Sequence, residues 1–318
     1  MINPYSKNDT IEVLRFFAAF AVMFVHIPTV EKGRFGVDAF FVISGYVMML
    51  STQASGDRFF LKRLIRIVPT YYALTIAVYL IAIAMPALLN NTTADPVHLI
   101  KSLLFIPFDK NGIGHAPILF LGWTLNYEMY FYLLFAIALG VSHQYRGLVA
   151  TVLIFCIWCL CSIPDVFIAR VYGDLIVFEF VLGILLYMII SLKSYRQILS
   201  IMLVLIAAVL LSDDLLGDRF VYAGLPSVLF IGFSLMVFKG KSMPRLFVLL
   251  GGASYVLYLT HPYVIQLFDK ITGWFGGSVV QQWSALVWSL LIANVLAVIL
   301  YQFLEIPLRN RLRNALLK

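Results

Sequence analysis

Long runs of apolar residues, separated by short polar segments, follow one another along almost the whole chain. A membrane-spanning helix needs about 20 mainly apolar residues. Because backbone polar groups in hydrocarbon must be paired within their own segment, such runs predict helices. We therefore predict an all-α polytopic membrane protein with about ten transmembrane helices, at 11–30, 37–54, 68–87, 118–140, 147–163, 174–192, 197–212, 219–238, 246–268 and 283–305.

One polar interruption holds a shorter apolar stretch. Residues 97–108, "VHLIKSLLFIPF", are too few to cross a bilayer and predict an interfacial or re-entrant helix. We treat 1–318 as a single integral membrane domain, in which 88–117 is an extracytoplasmic loop that contains this short helix. His98 and His115 in this loop, and His143 in a loop on the opposite side, are expected to be solvated.

The distribution of basic residues orients the predicted helices. One alternate set of loops and the termini carry 15 Lys and Arg residues, against 7 in the opposite set. Cytoplasmic loops are the ones enriched in Lys and Arg, so both termini are predicted to be cytoplasmic. The chain is 62% hydrophobic and 12% charged, half the charged fraction of a soluble domain. Its net charge of +7 is scattered between apolar runs, which argues against nucleic acid as a partner.

Two ionisable residues lie inside the first apolar run, "LRFFAAFAVMFVHIPTV". Ionisable groups within a membrane are costly and mark candidate sites. Arg15 and His26 are eleven residues apart, which is three helical turns plus about 20°, so both share a face, about 16 Å apart. Glu12 lies on that face as well. Pairing of Arg15 with a carboxylate, and of His26 with a neighbouring helix, is the structural alternative.

The next two segments add further charges. Asp38 opens the second helix and is a candidate to orient His26, because a carboxylate on one imidazole nitrogen makes the other more basic; the helix dipole alone would also favour it there. Arg63 and Arg66 are three residues apart and therefore neighbours on a helix. They suit a phosphate clamp, or simply anchor the cytoplasmic end of the third span.

Polar side chains recur in later spans. Trp123 and Asn126 share a face of the fourth span and are candidates to bind substrate, although an interfacial aromatic belt also explains the tryptophan. Glu128, deeper in that span, must be neutral or meet a cation, with Arg15 or Arg66 as candidates.

The ninth and tenth spans complete the set. Tyr258 and His261 lie within about 60° of arc on the ninth helix, and His261 reaches the outer half of the membrane, as His26 does. Glu305, at the cytoplasmic edge of the tenth span, is a candidate partner of Arg63 or Arg66.

No metal site is expected, because no group of His, Asp and Glu has ligand spacing. Cys156, Cys159 and Cys161 stand in purely apolar surroundings and are interpreted as buried structural thiols.

Five segments, taken in order, resemble one known family. They are "IEVLRFFAAFAVMFVH", "FGVDAFFVISGYVM", "FFLKRLIRIVPTYY", "GWTLNYEMYFYL" and "ASYVLYLTHP". Together they resemble the acyltransferase family 3 membrane proteins, of the exopolysaccharide-production acetyltransferase type. The resemblance covers nearly the whole chain.

The resemblance implies an enzyme of the bacterial inner membrane with ten helices. Such proteins move an acyl group, usually acetyl from cytoplasmic acetyl-CoA, to a carbohydrate hydroxyl at the outer face. The arginine and histidine of the family's first helix fall on Arg15 and His26, and its R-x-x-R motif falls on Arg63 and Arg66. The expected partners are a carbohydrate or lipid-linked glycan acceptor, the bilayer and proteins of glycan assembly.

These residues suggest a mechanism. Arg15, Arg63 and Arg66 are expected to hold acyl-CoA, His26 to act as general base oriented by Asp38, and Tyr258 and His261 to polarise the carbonyl or bind the acceptor. A transporter or flippase of a glycan or small anionic substrate is the alternative for a chain with intramembrane charges; such proteins often show internal repeats, and none is evident here. The acceptor and the acyl chain length stay open.

Overall fold

A computed structural model describes residues 9–27, 33, 35–90, 92–109, 116–192 and 220–317. Across these ranges the secondary structure is helical throughout, with no strand. The all-α class predicted from the apolar runs is confirmed.

Thirteen α-helices account for most of the described residues. In chain order they are α1 (Asp9–Val25), α2 (Phe35–Ser51), α3 (Phe59–Ala84), α4 (Pro96–Leu103), α5 (Trp123–Val141), α6 (Arg146–Cys161), α7 (Phe167–Tyr172), α8 (Val177–Ile190), α9 (Leu225–Val237), α10 (Arg245–Gly252), α11 (Ser254–Thr272), α12 (Val279–Leu300) and α13 (Ile306–Leu316). Short 3-10 turns lie at Pro86–Leu88, Phe120–Gly122 and Trp274–Gly276, and π-helical turns at Phe220–Gly224 and Tyr301–Glu305.

Several of these helices are long and apolar enough to cross a membrane. In the described ranges there are four by length and composition, and a fifth if α10 and α11 form one bent span; the four are Phe59–Ala84, Phe120–Val141, Phe167–Ile190 and Val279–Leu316. Three shorter apolar helices are Phe35–Ser51, Arg146–Cys161 and Tyr222–Val237. A helical membrane protein is thus indicated, while the number of ten spans and the side of the termini stay predictions. The predicted span 197–212 lies outside the described residues.

The first and third helices differ in extent from the predicted spans. Helix α1 ends at Val25, five residues before the predicted end, and the His26 N–H bonds to the Met23 carbonyl at 3.1 Å in a tighter turn. The proline at position 28 explains this end, since it lacks an N–H and disfavours helical backbone in the residue before it. Helix α3 begins at Phe59 rather than 68, because a helix can continue into its polar flank beyond the apolar span.

The predicted ninth span is broken. Helices α10 and α11 meet at Ala253 and are bent by 71°. Two glycines end α10, and glycine is a poor helix former. A Cβ on Gly252 would lie 2.7 Å from the Tyr301 hydroxyl oxygen, so the missing side chain also admits the tyrosine ring. The break follows from both features.

The chain divides into two compact units. The first comprises Met1–Ala18, Arg34–Phe59 and Tyr130–Val248, and the second comprises Ala19–Gly33, Phe60–Met129 and Leu249–Lys318. Four of the five boundaries fall within helices, and each unit draws on distant parts of the sequence.

In the first unit, α2 and α8 pack backbone against backbone. A Cβ on Gly45 would lie 2.1 Å from the Phe180 carbonyl oxygen, and one on Gly183 would lie 2.1 Å from the Val42 carbonyl oxygen. Small residues permit such close helix approach in membranes. Around this crossing, a buried apolar cluster includes Leu14, Val42, Ile43, Leu186, Val228 and Ile231.

The start of α6 is tied to the end of α2 in the same unit. The buried Arg146 guanidinium donates to Thr52 Oγ1 at 2.8 Å, to the Met49 carbonyl at 3.2 Å and to the His143 carbonyl at 2.7 Å. The last carbonyls of a helix have no partner within the helix. Arg146 therefore supplies a hydrogen-bond donor to the Met49 carbonyl, near the end of α2.

The second unit is organised around α11 and α12. A buried cluster is formed by Ile27, Ile265, Phe275 and Ala285. It packs Ile27, which follows His26 in the chain, against both helices. Ser278 begins α12 with a reciprocal capping box to Gln281, which satisfies the free N–H groups there.

Two sequence interpretations are wrong. His98 is buried, with 3% of its surface exposed, and its Nε2 hydrogen-bonds the Ala116 carbonyl at 3.1 Å; the folded loop encloses it. The cysteines are not buried thiols, because Cys156 and Cys159 are exposed and Cys161 is partly exposed on α6. An apolar surface of a membrane helix can face lipid instead of a protein core. His115 lies outside the described residues.

Candidate functional site

Two histidines predicted from separate segments lie side by side in the second unit. The ring centroids of His26 and His261 are 5.1 Å apart and the ring planes are inclined by 56°. His26 is partly exposed in the turn after α1, whereas His261 is fully buried in the middle of α11. At this separation, a nitrogen of one ring can come within hydrogen-bond distance of the other ring.

The surroundings of His261 fix its tautomer. Its Nδ1 lies 2.9 Å from the Leu257 carbonyl oxygen. A carbonyl oxygen can only accept, so Nδ1 must carry the hydrogen, and in the neutral ring Nε2 must carry the lone pair. Within the described residues this Nε2 is buried without a hydrogen-bond partner. His261 thus offers a buried acceptor beside His26.

His26 also forms part of the wall of a cavity of about 290 Å³. The wall brings together the turn after α1, the segment after α3, the segment before α5 and the second half of α11. The described lining consists of His26, Leu89, Asn90, Thr92, Phe120, Pro262, Tyr263, Ile265, Gln266 and Asp269. All of these residues belong to the second unit.

Tyr263 fixes one wall of this cavity. Its hydroxyl accepts a hydrogen bond from the Phe120 N–H at 2.8 Å and donates to the Ile118 carbonyl at 3.3 Å. The segment that it holds places the Phe120 ring edge-on to the His26 ring, at 5.8 Å between centroids. Tyr263 therefore positions the aromatic neighbour of His26.

The segment after α3 is held by two polar residues, one and two helical turns beyond Tyr263 on α11. Gln266 Nε2 donates to the Leu88 carbonyl at 3.1 Å, and Lys270 Nζ donates to the Ala87 carbonyl at 2.6 Å. Both acceptors belong to the 3-10 turn after α3. Residues spaced by four share a helix face, so this pair holds the turn that leads into Leu89 and Asn90 of the lining.

Arg15 and Asp38, two of the predicted catalytic residues, lie in the first unit. Arg15 Nη1 is 3.8 Å from Glu12 Oε2 on the same helix, which is longer than a hydrogen bond. Asp38 lies in the first turn of α2 and is fully buried. Their predicted roles toward the donor and toward His26 stay predictions.

Arg63 and Arg66, the predicted phosphate clamp, lie in the second unit, within α3. Arg63 is buried and Arg66 is partly exposed. Glu305 is buried in the turn before α13 and forms an ion pair with Arg309, at 3.1 Å from Oε1 to Nη1. The predicted pairing of Glu305 with Arg63 or Arg66 stays a prediction.

The remaining predicted residues also fall in the second unit. Tyr258 adjoins His261, with ring centroids 6.3 Å apart. Trp123 and Asn126 on α5 are not among the described residues that line the cavity. The Asn126 side chain is nevertheless buried, and its Oδ1 has no hydrogen-bond partner in the described ranges. Glu128 lies partly buried on the same helix.

Sequence reasoning missed much of the cavity lining. Gln266 and Asp269 follow Pro262 at helical spacing, and this signal, together with the nearby His261, could have identified them. Asn90, Thr92 and Phe120 carried no such signal, because loops bring them to the site. No group of three or more His, Cys, Asp and Glu suited to a metal ion occurs in the described part of the chain.

Membrane-length helices, a pair of adjacent histidines and a partly polar cavity lined by one of these histidines define a helical membrane protein with a candidate catalytic centre. A family model described as acyltransferase domain matches residues 8–302. The chain belongs to this family, acyltransferase family 3. The resemblance noted in the five segments and the expectation of an enzyme are thereby confirmed, and the transporter alternative loses its support.

Known relatives agree with this family. The chain is 31% identical over 299 residues to the exopolysaccharide production protein ExoZ of Rhizobium meliloti, covering 88% of this chain and 90% of that one. It is also 31% identical over 151 residues to the peptidoglycan O-acetyltransferase OatA of Listeria monocytogenes, covering 41% of this chain and 24% of that one. A putative acetyltransferase of Acidianus two-tailed virus is 26% identical over 157 residues, 46% of each chain. No solved structure matches the chain.

Proposed function

We propose that the protein moves an acetyl or other short acyl group from cytoplasmic acyl-CoA to a carbohydrate hydroxyl of a cell-surface or exported glycan. Membership of the acyltransferase family supports the reaction type. The names of two relatives, one for exopolysaccharide production and one for peptidoglycan O-acetylation, support a glycan acceptor. The long apolar helices support a multi-pass location, which we assign to the bacterial inner membrane.

The observation that carries the proposal is the position of His26 in the wall of the cavity, with His261 behind it. A general base must come within hydrogen-bond reach of the proton that it removes. An acceptor hydroxyl in the cavity would meet this condition at His26.

The reaction follows from this arrangement. The acceptor hydroxyl oxygen attacks the thioester carbonyl carbon while its proton passes to the neutral His26 ring. The carbon–sulfur bond then breaks, and the CoA thiolate takes the proton back from His26. The products are an ester and free CoA thiol, and His26 is regenerated. General base catalysis of this kind contributes about 10²- to 10⁴-fold to the rate.

A neutral His26 has one N–H, and the group that holds it decides which nitrogen is the base. The sequence assigns this role to Asp38. The buried Nε2 of His261 is an acceptor for the same proton inside the unit that contains His26. Asp38→Asn and His261→Asn test the two candidates: replacing the group that holds the proton is expected to lower kcat and to leave the KM of both substrates unchanged.

For His261 itself, the tautomer favours one of its two expected roles. Polarising the acyl carbonyl requires a donor, and the hydrogen of the neutral ring is already committed to Leu257. His261 is therefore an acceptor, either for His26 or for the hydroxyl of the acceptor substrate. Tyr258 remains the candidate donor to the carbonyl, and Trp123 and Asn126 remain candidates to bind the substrate.

The donor would be held by the three arginines. Arg63 and Arg66 lie one turn apart on α3, a spacing that suits two phosphate contacts. Arg15 completes the predicted set, and acyl-CoA is a co-substrate with no metal requirement in this scheme. Glu128 and Glu305 are assigned structural ion pairs.

One variant of the chemistry passes the acyl group through His26. The ring nitrogen would then attack the thioester, CoA would leave first, and the acceptor hydroxyl would take the group from the acyl-imidazole. Ping-pong kinetics would identify this route, and a ternary-complex pattern would identify direct transfer.

The test uses purified full-length protein in nanodiscs with radiolabelled acetyl-CoA, comparing wild type with Arg15→Ala and His26→Ala. We expect Arg15→Ala to lose saturable binding, and His26→Ala to bind the donor but to lose hydrolysis and transfer. Wild-type turnover by a monodisperse His26→Ala protein would refute the assignment of the base. Absence of both binding and turnover in the wild type, with acceptor glycan supplied, would refute the proposed function.

A further inference from the structure

We propose that the cavity beside His26 is the acceptor site, and that it takes one uncharged, hydroxyl-rich sugar residue through Asn90, Gln266 and Asp269. This inference rests on the proposed function. It adds the location of the acceptor, the size of the unit bound and three residues outside the five segments that resemble the family.

The charges of the lining argue for an uncharged ligand. The described lining contains the carboxylate of Asp269 and no Lys or Arg side chain. Phosphate groups are bound mainly by arginine and lysine, and the described lining offers CoA neither; the neighbouring Lys270 is hydrogen-bonded to the Ala87 carbonyl. Amide and carboxylate groups suit sugar hydroxyls, which both donate and accept hydrogen bonds.

The size of the cavity limits what can enter. At about 290 Å³, it lies just below the range of about 300–1,000 Å³ typical of small-molecule sites. One sugar residue, at the end of a glycan or within it, fits this space, whereas several residues do not. The rest of the glycan must lie outside.

The walls of the cavity are fixed by hydrogen bonds. Tyr263 and Gln266, both lining residues on α11, hold the two flanking segments through hydrogen bonds to backbone groups. Gln266 Nε2 donates to the Leu88 carbonyl, which leaves the Gln266 Oε1 as an acceptor for a ligand. The carboxylate oxygens of Asp269 are acceptors as well. The hydroxyl that reacts would be the one that reaches His26.

The predicted sidedness agrees with an acceptor. Leu89, Asn90 and Thr92 belong to the segment 88–117, which the distribution of Lys and Arg assigns to the extracytoplasmic side. A site built from this loop faces the side on which an exported glycan is handled.

The test measures transfer of radiolabel from acetyl-CoA into the polysaccharide fraction of permeabilised cells that produce the native glycan. The cells lack their own copy of the protein and express instead the wild type, His26→Ala, Asp269→Asn, Gln266→Leu or Thr92→Trp. Each variant is also purified into nanodiscs, where its acetyl-CoA binding and its melting temperature are measured. Asp165→Asn is the matched control, because Asp165 is an exposed carboxylate in the other unit.

We expect Asp269→Asn to raise the glycan concentration needed for half-maximal transfer about tenfold, because a neutral amide oxygen is a weaker acceptor than a carboxylate. Thr92→Trp should abolish transfer by filling the cavity, with acetyl-CoA binding unchanged in both. If the cavity variants transfer acetyl like wild type while His26→Ala does not, the acceptor site lies elsewhere and the proposed function stands. If wild type transfers no label to glycan, the proposed function fails, and this inference fails with it.

Discussion

The rings of His26 and His261 stand 5.1 Å apart between centroids, although 234 positions separate them in the chain. His261 is fixed by its hydrogen bond to the Leu257 carbonyl, and His26 borders the cavity. In the proposed mechanism, the buried histidine holds a proton of the partly exposed one. The second nitrogen of His26 is then the one that acts on the substrate.

This relationship predicts a graded effect of substitutions at His261. A glutamine can place its oxygen near the position of Nε2, whereas an alanine cannot. We expect His261→Ala to lower kcat by about 10- to 100-fold, as for the loss of one oriented hydrogen bond, and His261→Gln to recover part of this loss. The KM for acetyl-CoA should be unchanged in both.

The measurement is steady-state transfer with both substrates varied, alongside thermal unfolding. A residue with a purely structural role would lower the melting temperature and the active fraction in both variants without the graded change in kcat. That outcome would contradict an orienting role for His261.

The arginines on α3 predict a dependence on the phosphates of the donor. Replacing Arg63 or Arg66 with Ala should raise the KM for acetyl-CoA about tenfold for each lost phosphate contact. The same variants should use S-acetyl-pantetheine, which has no phosphate, as well as wild type does. Arg170→Ala is the control, because that arginine is exposed and lies in the other unit. If activity fell equally with acetyl-CoA and with S-acetyl-pantetheine, the arginines would not bind the phosphates of the donor.

The close crossing of α2 and α8 predicts a large effect of one methyl group. Gly45→Ala would place a Cβ 2.1 Å from the Phe180 carbonyl oxygen, and the helices must separate to admit it. We expect a loss of about 1–3 kcal/mol in the free energy of unfolding, measured by thermal unfolding in detergent.

Gly140→Ala is the matched control for that crossing. Gly140 is helical, and a Cβ there would have no heavy atom within 4 Å. We expect this variant to be as stable as wild type or more stable, by up to about 1 kcal/mol from helix propensity. If Gly45→Ala proved as stable as Gly140→Ala, the close crossing would not constrain position 45.

Arg146 predicts a difference between charge and geometry. Arg146→Lys keeps the positive charge but cannot reproduce the forked contacts to Thr52, Met49 and His143. We expect Arg146→Lys to lower the free energy of unfolding by at least about 1–2 kcal/mol without altering membrane orientation. Glycosylation or cysteine-accessibility mapping checks the orientation, and unfolding in detergent checks the stability. If the Arg146→Lys protein were as stable as wild type, Arg146 would contribute only its positive charge, which helps to orient the protein in the membrane.

The sequence alone determined the helical class, because the cost of unpaired backbone groups in hydrocarbon leaves long apolar runs no other local structure. It also identified the family from five ordered segments, and it singled out His26 and His261 because polar groups are conspicuous in apolar surroundings. It predicted the helix ends less well, as α1 and α3 show. The change from polar to apolar residues locates the membrane-spanning segment, whereas the helix can end earlier or begin earlier than that segment.

Only the tertiary structure decided which distant residues meet. The His26–His261 pair, the cavity walls fixed by Tyr263 and Gln266, and the contacts of Arg146 all join segments far apart in the chain. Helical periodicity gives the face on which a residue lies but not the element that packs against that face. Partners across helices depend on how the helices pack, and loop residues such as Asn90 and Phe120 carry no period that could reveal them.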